Sequence, residues 1–155
     1  GVKFKLNEQV LPGLGFFSTD FKGVQIPGTD KPWLYTTGCR GLERCELELL
    51  GEAEEGAPAV YTLRLGFLAP EKDQPGQRVF DIKVQGQVMA AAFDAYRAGG
   101  GAGRACVKEI RGVKVNKNLV IELIPKAAEP SADQAPILCH LEAIREEVAA
   151  KAVGQ

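Results

Sequence analysis

The stretch YTLRLGF, Tyr61 to Phe67, alternates apolar and polar side chains with a period of two. Tyr61, Leu63, Leu65 and Phe67 therefore point one way from an extended chain, and Thr62 and Arg64 point the other. The same alternation returns in RVFDIKVQG (Arg78 to Gly86), where Phe80, Ile82 and Val84 oppose Asp81 and Lys83, and in NLVIELI (Asn118 to Ile124) and ILCHLEAI (Ile137 to Ile144). CELELL, Cys45 to Leu50, sets Cys45, Leu47 and Leu49 against Glu46 and Glu48, and ACVKEIRGVKV, Ala105 to Val115, reads as a kinked strand pair around Gly112. Gly, Pro, Asn or Asp bound these runs, as strand ends require. A further strand is expected at VKFKL, Val2 to Leu6; the rest of the first thirty residues gives no clear pattern. Short strands joined by polar turns predict an all-β fold of antiparallel sheets packed face to face, a β-sandwich. Its core should hold Leu63, Leu65, Phe67, Phe80, Ile82, Val84, Leu119, Ile121 and Leu123, which share one parity in their strands.

The chain has 155 residues, 45% of them hydrophobic and 25% charged, with a net charge of -1. That length and composition predict a single domain, 1–155, with its core over about 32–144. The segment 145–155, rich in good helix formers, is expected to form a short C-terminal helix or linker. The charge balance argues against a nucleic-acid partner. A basic stripe from Arg104 to Lys117 holds five cations and one acid, Glu109, but lacks the interleaved rings of a single-strand platform. No apolar run approaches the roughly 20 residues needed to cross a bilayer, so no membrane insertion is expected. The sequence opens at Gly1 without a signal-peptide pattern, and it reads as a domain cut from a longer exported protein.

Cys39 and Cys45, in PWLYTTGCRGLERC (Pro32 to Cys45), are spaced too widely for a C-x-x-C redox site. The one histidine, His140, offers no zinc set with them, and no metal or other cofactor is expected. A disulfide between these two cysteines, closing a loop that turns at Gly38 and Gly41, is the expectation. Cys106 and Cys139 stand inside strand patterns and read as small buried hydrophobes.

Catalytic constellations are weak. His140 lies in an alternating strand with no nucleophile elbow, and Asp81, Asp94 and Glu142 read as solvated strand faces rather than an acid–base pair. GGGAG, Gly99 to Gly103, lacks the Gly-Lys-Ser/Thr ending of a phosphate loop. The chain reads as a binding protein and not an enzyme. Pro- and Gly-rich stretches at Ala69 to Gln77 and Lys126 to Pro136 read as long exposed loops, where a sandwich carries function. Trp33 and Tyr35 fall outside the alternating core pattern, and flat amphipathic rings of this kind suit the apolar face of a sugar.

From Pro32 to Ile144 the ordered series LYTTGCRG, YTLRLGFLAPE, GQRVFDIKVQGQ, AFDAYRAGG, CVKEIRGVKV, NLVIELIPK and PILCHLEAI resembles the malectin and malectin-like carbohydrate-binding domains. The resemblance implies a jelly-roll sandwich of the galactose-binding type that takes oligosaccharide on loops at one end. It carries Tyr35 and Asp133 over as sugar contacts, with Trp33 as a neighbouring ring and Arg40 as a further hydrogen-bond donor. In malectin an aromatic pair follows the Ala-Glu of the signature, whereas this chain has Pro70, Glu71 and Lys72. The expectation is therefore weak binding of a glucose- or galactose-containing oligosaccharide. The setting implied is extracellular or periplasmic, as one module among other domains of a larger secreted bacterial protein. The alternative is a structural spacer domain that has lost the sugar site.

Overall fold

The computed structural model describes residues 6–20, 22–49 and 58–146. Among them are eleven strands: β1 (Leu6–Val10), β2 (Phe16–Ser18), β3 (Thr37–Arg40), β4 (Leu42–Glu48), β5 (Ala59–Leu68), β6 (Val79–Val84), β7 (Gln87–Asp94), β8 (Ala105–Val115), β9 (Asn118–Pro125), β10 (Ile137–Leu138) and β11 (His140–Arg145). One short helix, α1 (Ala95–Gly99), follows β7.

A five-stranded sheet in the order β1-β4-β9-β6-β7 faces a three-stranded sheet in the order β11-β5-β8. A small third sheet, β10-β3-β2, closes over one end. Every paired strand runs antiparallel to its neighbour. All nine residues expected in the core are buried, and Leu63, Leu65, Phe67, Ile82, Leu119 and Ile121 have no exposure at all. Phe67, Phe80 and Phe93 meet as three tilted ring pairs at the centre, with centroids 4.9–5.7 Å apart. The all-β sandwich read from alternation is the fold.

Three local features differ from the sequence reading. Ala105 to Val115 is one continuous strand, not a pair. Tyr61 pairs with Val113 and Leu63 with Ile110, so Arg111 and Gly112 together oppose Thr62. This bulge, with Gly112 at φ +71°, resets the parity and lets Ile110 and Val113 both face the core. The helix expected over 145–155 is corrected at its start, because Arg145 still pairs with Tyr61 as the last residue of β11. Residues 147–155 lie outside the described residues, as do 1–5 of the expected first strand; β1 begins at Leu6. The one described helix is α1, capped by Asp94, whose side chain accepts from the Tyr96 amide.

The expected Cys39–Cys45 disulfide is also corrected: both residues are buried free thiols. The chain does not fold back as a loop between them. It runs extended through β3, bends once at Gly41 (φ +82°), and continues extended as β4 in a different sheet. Cys39 sits opposite Leu138 and Phe16, while Cys45 sits opposite Ile121 and Glu8. Burial raises both thiol pKa values, that of Cys45 to about 11, as befits small core hydrophobes.

The registers fix two ends. Leu68 lies opposite Ala105, Gly66 opposite His140 and Phe80 opposite Pro125. The connections 69–78, 94–104 and 126–136 therefore gather at one end, together with the 11–41 segment. Leu6, opposite Leu47, and Arg145, opposite Tyr61, lie at the other end.

Candidate carbohydrate site at the loop end

Arg78 organises the loop end. It stands just before β6 on the same parity as Phe80, Ile82 and Val84, so its side chain is carried toward the interior and is only 6% exposed. A guanidinium there needs a carboxylate and acceptors for its remaining donors. Asp73, 5% exposed, takes Nε at 2.9 Å and Nη2 at 3.1 Å in a bidentate pair. Nη1 donates to the carbonyls of Ala132 at 2.9 Å and Ala135 at 2.6 Å. One side chain thus fastens the 69–78 loop to the 126–136 loop. Gln77 reinforces the joint, donating through Nε2 to Asp73 Oδ1 at 3.2 Å and to the Asp133 carbonyl at 3.0 Å.

Asp94 is the second anchor, and it corrects the reading of this residue as a solvated face. It is buried, accepts from the Gly76 amide at 2.7 Å and the Tyr96 amide at 3.0 Å, and lies 3.5 Å from Arg97 Nε. The Gly103 amide donates to the Ala69 carbonyl at 2.7 Å, tying the glycine-rich connection to the same loop. Gly103 sits at φ +69°, a left-handed conformation that favours glycine, and a Cβ there would displace the exposed Glu71 carboxylate, 2.4 Å away at Oε1. The three loops are tied to one another by these polar contacts. The sequence signal for this arrangement was available: a charged residue on a core parity implies a buried partner nearby in space.

The four expected sugar contacts are placed unequally. Trp33 lies in a 3₁₀ turn over Pro32–Leu34, started by the fixed φ of Pro32, and its side chain is exposed. Tyr35 is buried over a second small core with Ala105, Ile137 and Cys139, and its ring meets His140 edge-on at 5.0 Å. Burial, with Cys106 and Cys139 adding to it, pushes its phenol up from the ordinary tyrosine range. Arg40 is exposed, and its guanidinium lies 5.7 Å from the centre of the Phe17 ring. Asp133 is exposed on the 126–136 loop, with its backbone fixed by Gln77. None of these four side chains bonds or stacks with another among the described residues. His140 is packed between Tyr35 and Gly66; its Nε2 is buried without a partner, and burial lowers its pKa, with Glu142 opposing.

The family model for the malectin domain matches residues 3–134. The chain belongs to the malectin domain family. The match stops short of β10 and β11, so the strands that complete the small sheet and the three-stranded sheet lie beyond it. Among solved structures, the ANX2 ectodomain from Arabidopsis thaliana superposes with a TM-score of 0.60 at 15% identity, covering 90% of this chain and 42% of that one. The ANX1 ectodomain from the same plant gives 0.64 at 16% identity, with 90% and 40% covered. A calcium-binding mutant of β-glucuronidase 2 from Bacteroides uniformis gives 0.66 at 15% identity, covering 90% of this chain and 14% of the enzyme. At such identities the likeness is one of fold. The malectin domain described here spans less than half of each of these three proteins. Comparison with curated protein sequences returned no match.

Proposed function

We propose that this malectin domain is a non-catalytic carbohydrate-binding module. In this reading it binds a glucose- or galactose-containing oligosaccharide weakly through its end loops, as one domain of a larger extracellular or periplasmic bacterial protein. The observation that carries the reading is the buried Arg78–Asp73 clasp. It fixes the 69–78 and 126–136 loops against each other, so that Asp133, Glu71 and Lys72 are presented on an ordered frame. Pre-organisation of this kind reduces the ordering cost of binding. Trp33 is an exposed ring of the same end and Arg40 an exposed donor. Tyr35 acts from below, by packing, since its ring offers no free face. Asp81 and Glu109 are held in ion pairs on the sheet faces, and we assign neither an acid–base role. With Trp33 as the one exposed ring among the four candidate contacts, the affinity falls at about 0.1–1 mM, or about 4–5.5 kcal/mol.

The burial of Tyr35 and the polar Glu71 and Lys72 favour a second reading, a spacer domain without a sugar site. Titration calorimetry with gluco- and galacto-oligosaccharides separates the two. Heat that is lost in Trp33→Ala and Asp133→Ala, with Tm unchanged, supports the module. No heat at millimolar sugar supports the spacer, and binding that survives both substitutions places the site elsewhere.

A further inference from the structure

A groove of about 340 Å³ opens on one side of the sandwich, below the small sheet and between the edge strands β1 and β11. Its described walls are apolar: Phe16, Phe17, Leu42, Leu138 and Leu141, with three thiols between them. Phe16 is the most exposed large apolar side chain among the described residues, at 65%, and it lines this groove. The volume is that of a site for a small organic molecule.

One charge enters this lining. Glu8 lies opposite Cys45 in the β1–β4 register and shares its parity, on the groove side of the strand, while its side chain stays exposed at the groove's rim. It is the only carboxylate among the described residues that line the groove. Its field reaches the floor: after burial, the Glu8 charge is the further cause that raises the Cys39 thiol, and it also contributes at Cys45. No described residue supplies it with an ion pair or a hydrogen bond. His140, on the opposite wall, has its Nε2 turned onto Gly66 and not toward the carboxylate.

We propose that this groove, on the flank of the sandwich beneath the loop end, is a second ligand site, for a small amphipathic ammonium compound. An aromatic or branched aliphatic body lies against the leucines and Phe17, and the protonated amine meets the Glu8 carboxylate beside the Phe16 ring. A carboxylate supplies charge-assisted acceptors for an ammonium, and an aromatic face adds attraction for the same cation. The selectivity comes from the sign of the one charge: a carboxylate ligand of equal size meets Glu8 as a like charge over a poorly solvated floor. A charge on an edge strand also discourages strand addition, a role that needs no ligand.

The test uses 2-phenylethylamine and, as its charge-reversed counterpart, 3-phenylpropionate, titrated into the protein at neutral pH and low salt. Methyl NMR shifts of Leu42, Leu138 and Leu141 provide the readout. The amine should shift all three leucines with a saturable curve, and the acid should bind at least about tenfold more weakly. Glu8→Gln should weaken the amine by about fivefold or more while leaving Tm within a degree or two, and Phe16→Ala should weaken it too. Three results overturn the proposal: no leucine shift up to about 10 mM amine, equal binding of amine and acid, or full affinity in Glu8→Gln. The last would leave Glu8 as an edge guard alone. Sugar binding at the loop end is untouched by any of these outcomes.

Discussion

At the scale of single residues, two positions decide local packing. Phe80 is 1% exposed and meets both Phe67 and Phe93, so its removal leaves a cavity that the two flanking rings cannot fill. Phe80→Ala should cost about 3–5 kcal/mol in urea unfolding, the range for a large buried aromatic. A loss near that of ordinary surface sites, below about 1 kcal/mol, would contradict the register of β6. Gly66 is the complementary case. A Cβ there would sit 2.0 Å from His140 Nε2 and 2.1 Å from Cδ2, because the imidazole lies directly on the Gly66 backbone. Gly66→Ala should therefore lose about 1–3 kcal/mol through overpacking. The double variant Gly66→Ala/His140→Ala should lose less than the sum of the two single changes, since the shorter side chain vacates the contested space. Additive losses in that cycle would mean that the glycine answers some other constraint.

Between elements, the Arg78 clasp is the contact with most at stake. Substituting Met for Arg78 leaves Asp73 buried without its cation and strips the Ala132 and Ala135 carbonyls of their donor. The expected loss is about 3–5 kcal/mol, accompanied by faster proteolysis in the 126–136 loop. Unchanged proteolysis would show that the loop is held without the guanidinium. The same elements show what alternation reveals and what it hides. β5, β6 and β9 were legible because each pairs on both sides with a full core face, which forces strict period two. β7 was not legible, since QVMAAAFD is apolar on both faces and its register against β6 slips twice, between Phe80/Ile82 and Ile82/Lys83. β2 is only three residues long, and α1 is a single turn whose cap, Asp94, resembles any polar strand residue in the sequence. The cysteine spacing misled for a related reason: spacing does not say whether a glycine folds a chain back or passes it to another sheet, and Gly41 does the second. Of the site residues, the loops that carry them followed from composition. Tyr35's burial did not, because its cover comes from β8, β10 and Cys139, which lie 70 or more residues away in the chain.

For the whole molecule, the titratable groups predict a stability optimum with two acid steps and an alkaline limb. Burial lowers the His140 pKa from its ordinary 6.5, so the unfolded chain binds a proton there before the folded one does. Stability is then complete above about pH 6.5 and falls as the pH drops toward the depressed folded value. A second step follows at lower pH. Asp81 is held down by the Ala92 amide and Lys126, Glu109 by Arg64 and Arg111, and Glu146 by the Gly112 amide and Thr62. Their stabilising contacts are present above the ordinary values of 3.8 and 4.5 and are lost as the pH falls through the lowered ones. On the alkaline side the sign reverses. Burial pushes Cys45 and Cys106 from 9.0 to about 11 and Cys139 to about 12, so the folded state retains protons that the unfolded chain releases, and stability declines as pH rises above about 9. Thermal unfolding followed from pH 3 to 10 should show all three regions. His140→Leu should flatten the first acid step alone, leaving the carboxylate step and the alkaline limb in place. A first step that survives the loss of the only histidine would show that it does not come from the imidazole, and that the ring between Tyr35 and Gly66 takes up its proton without disturbing the second core.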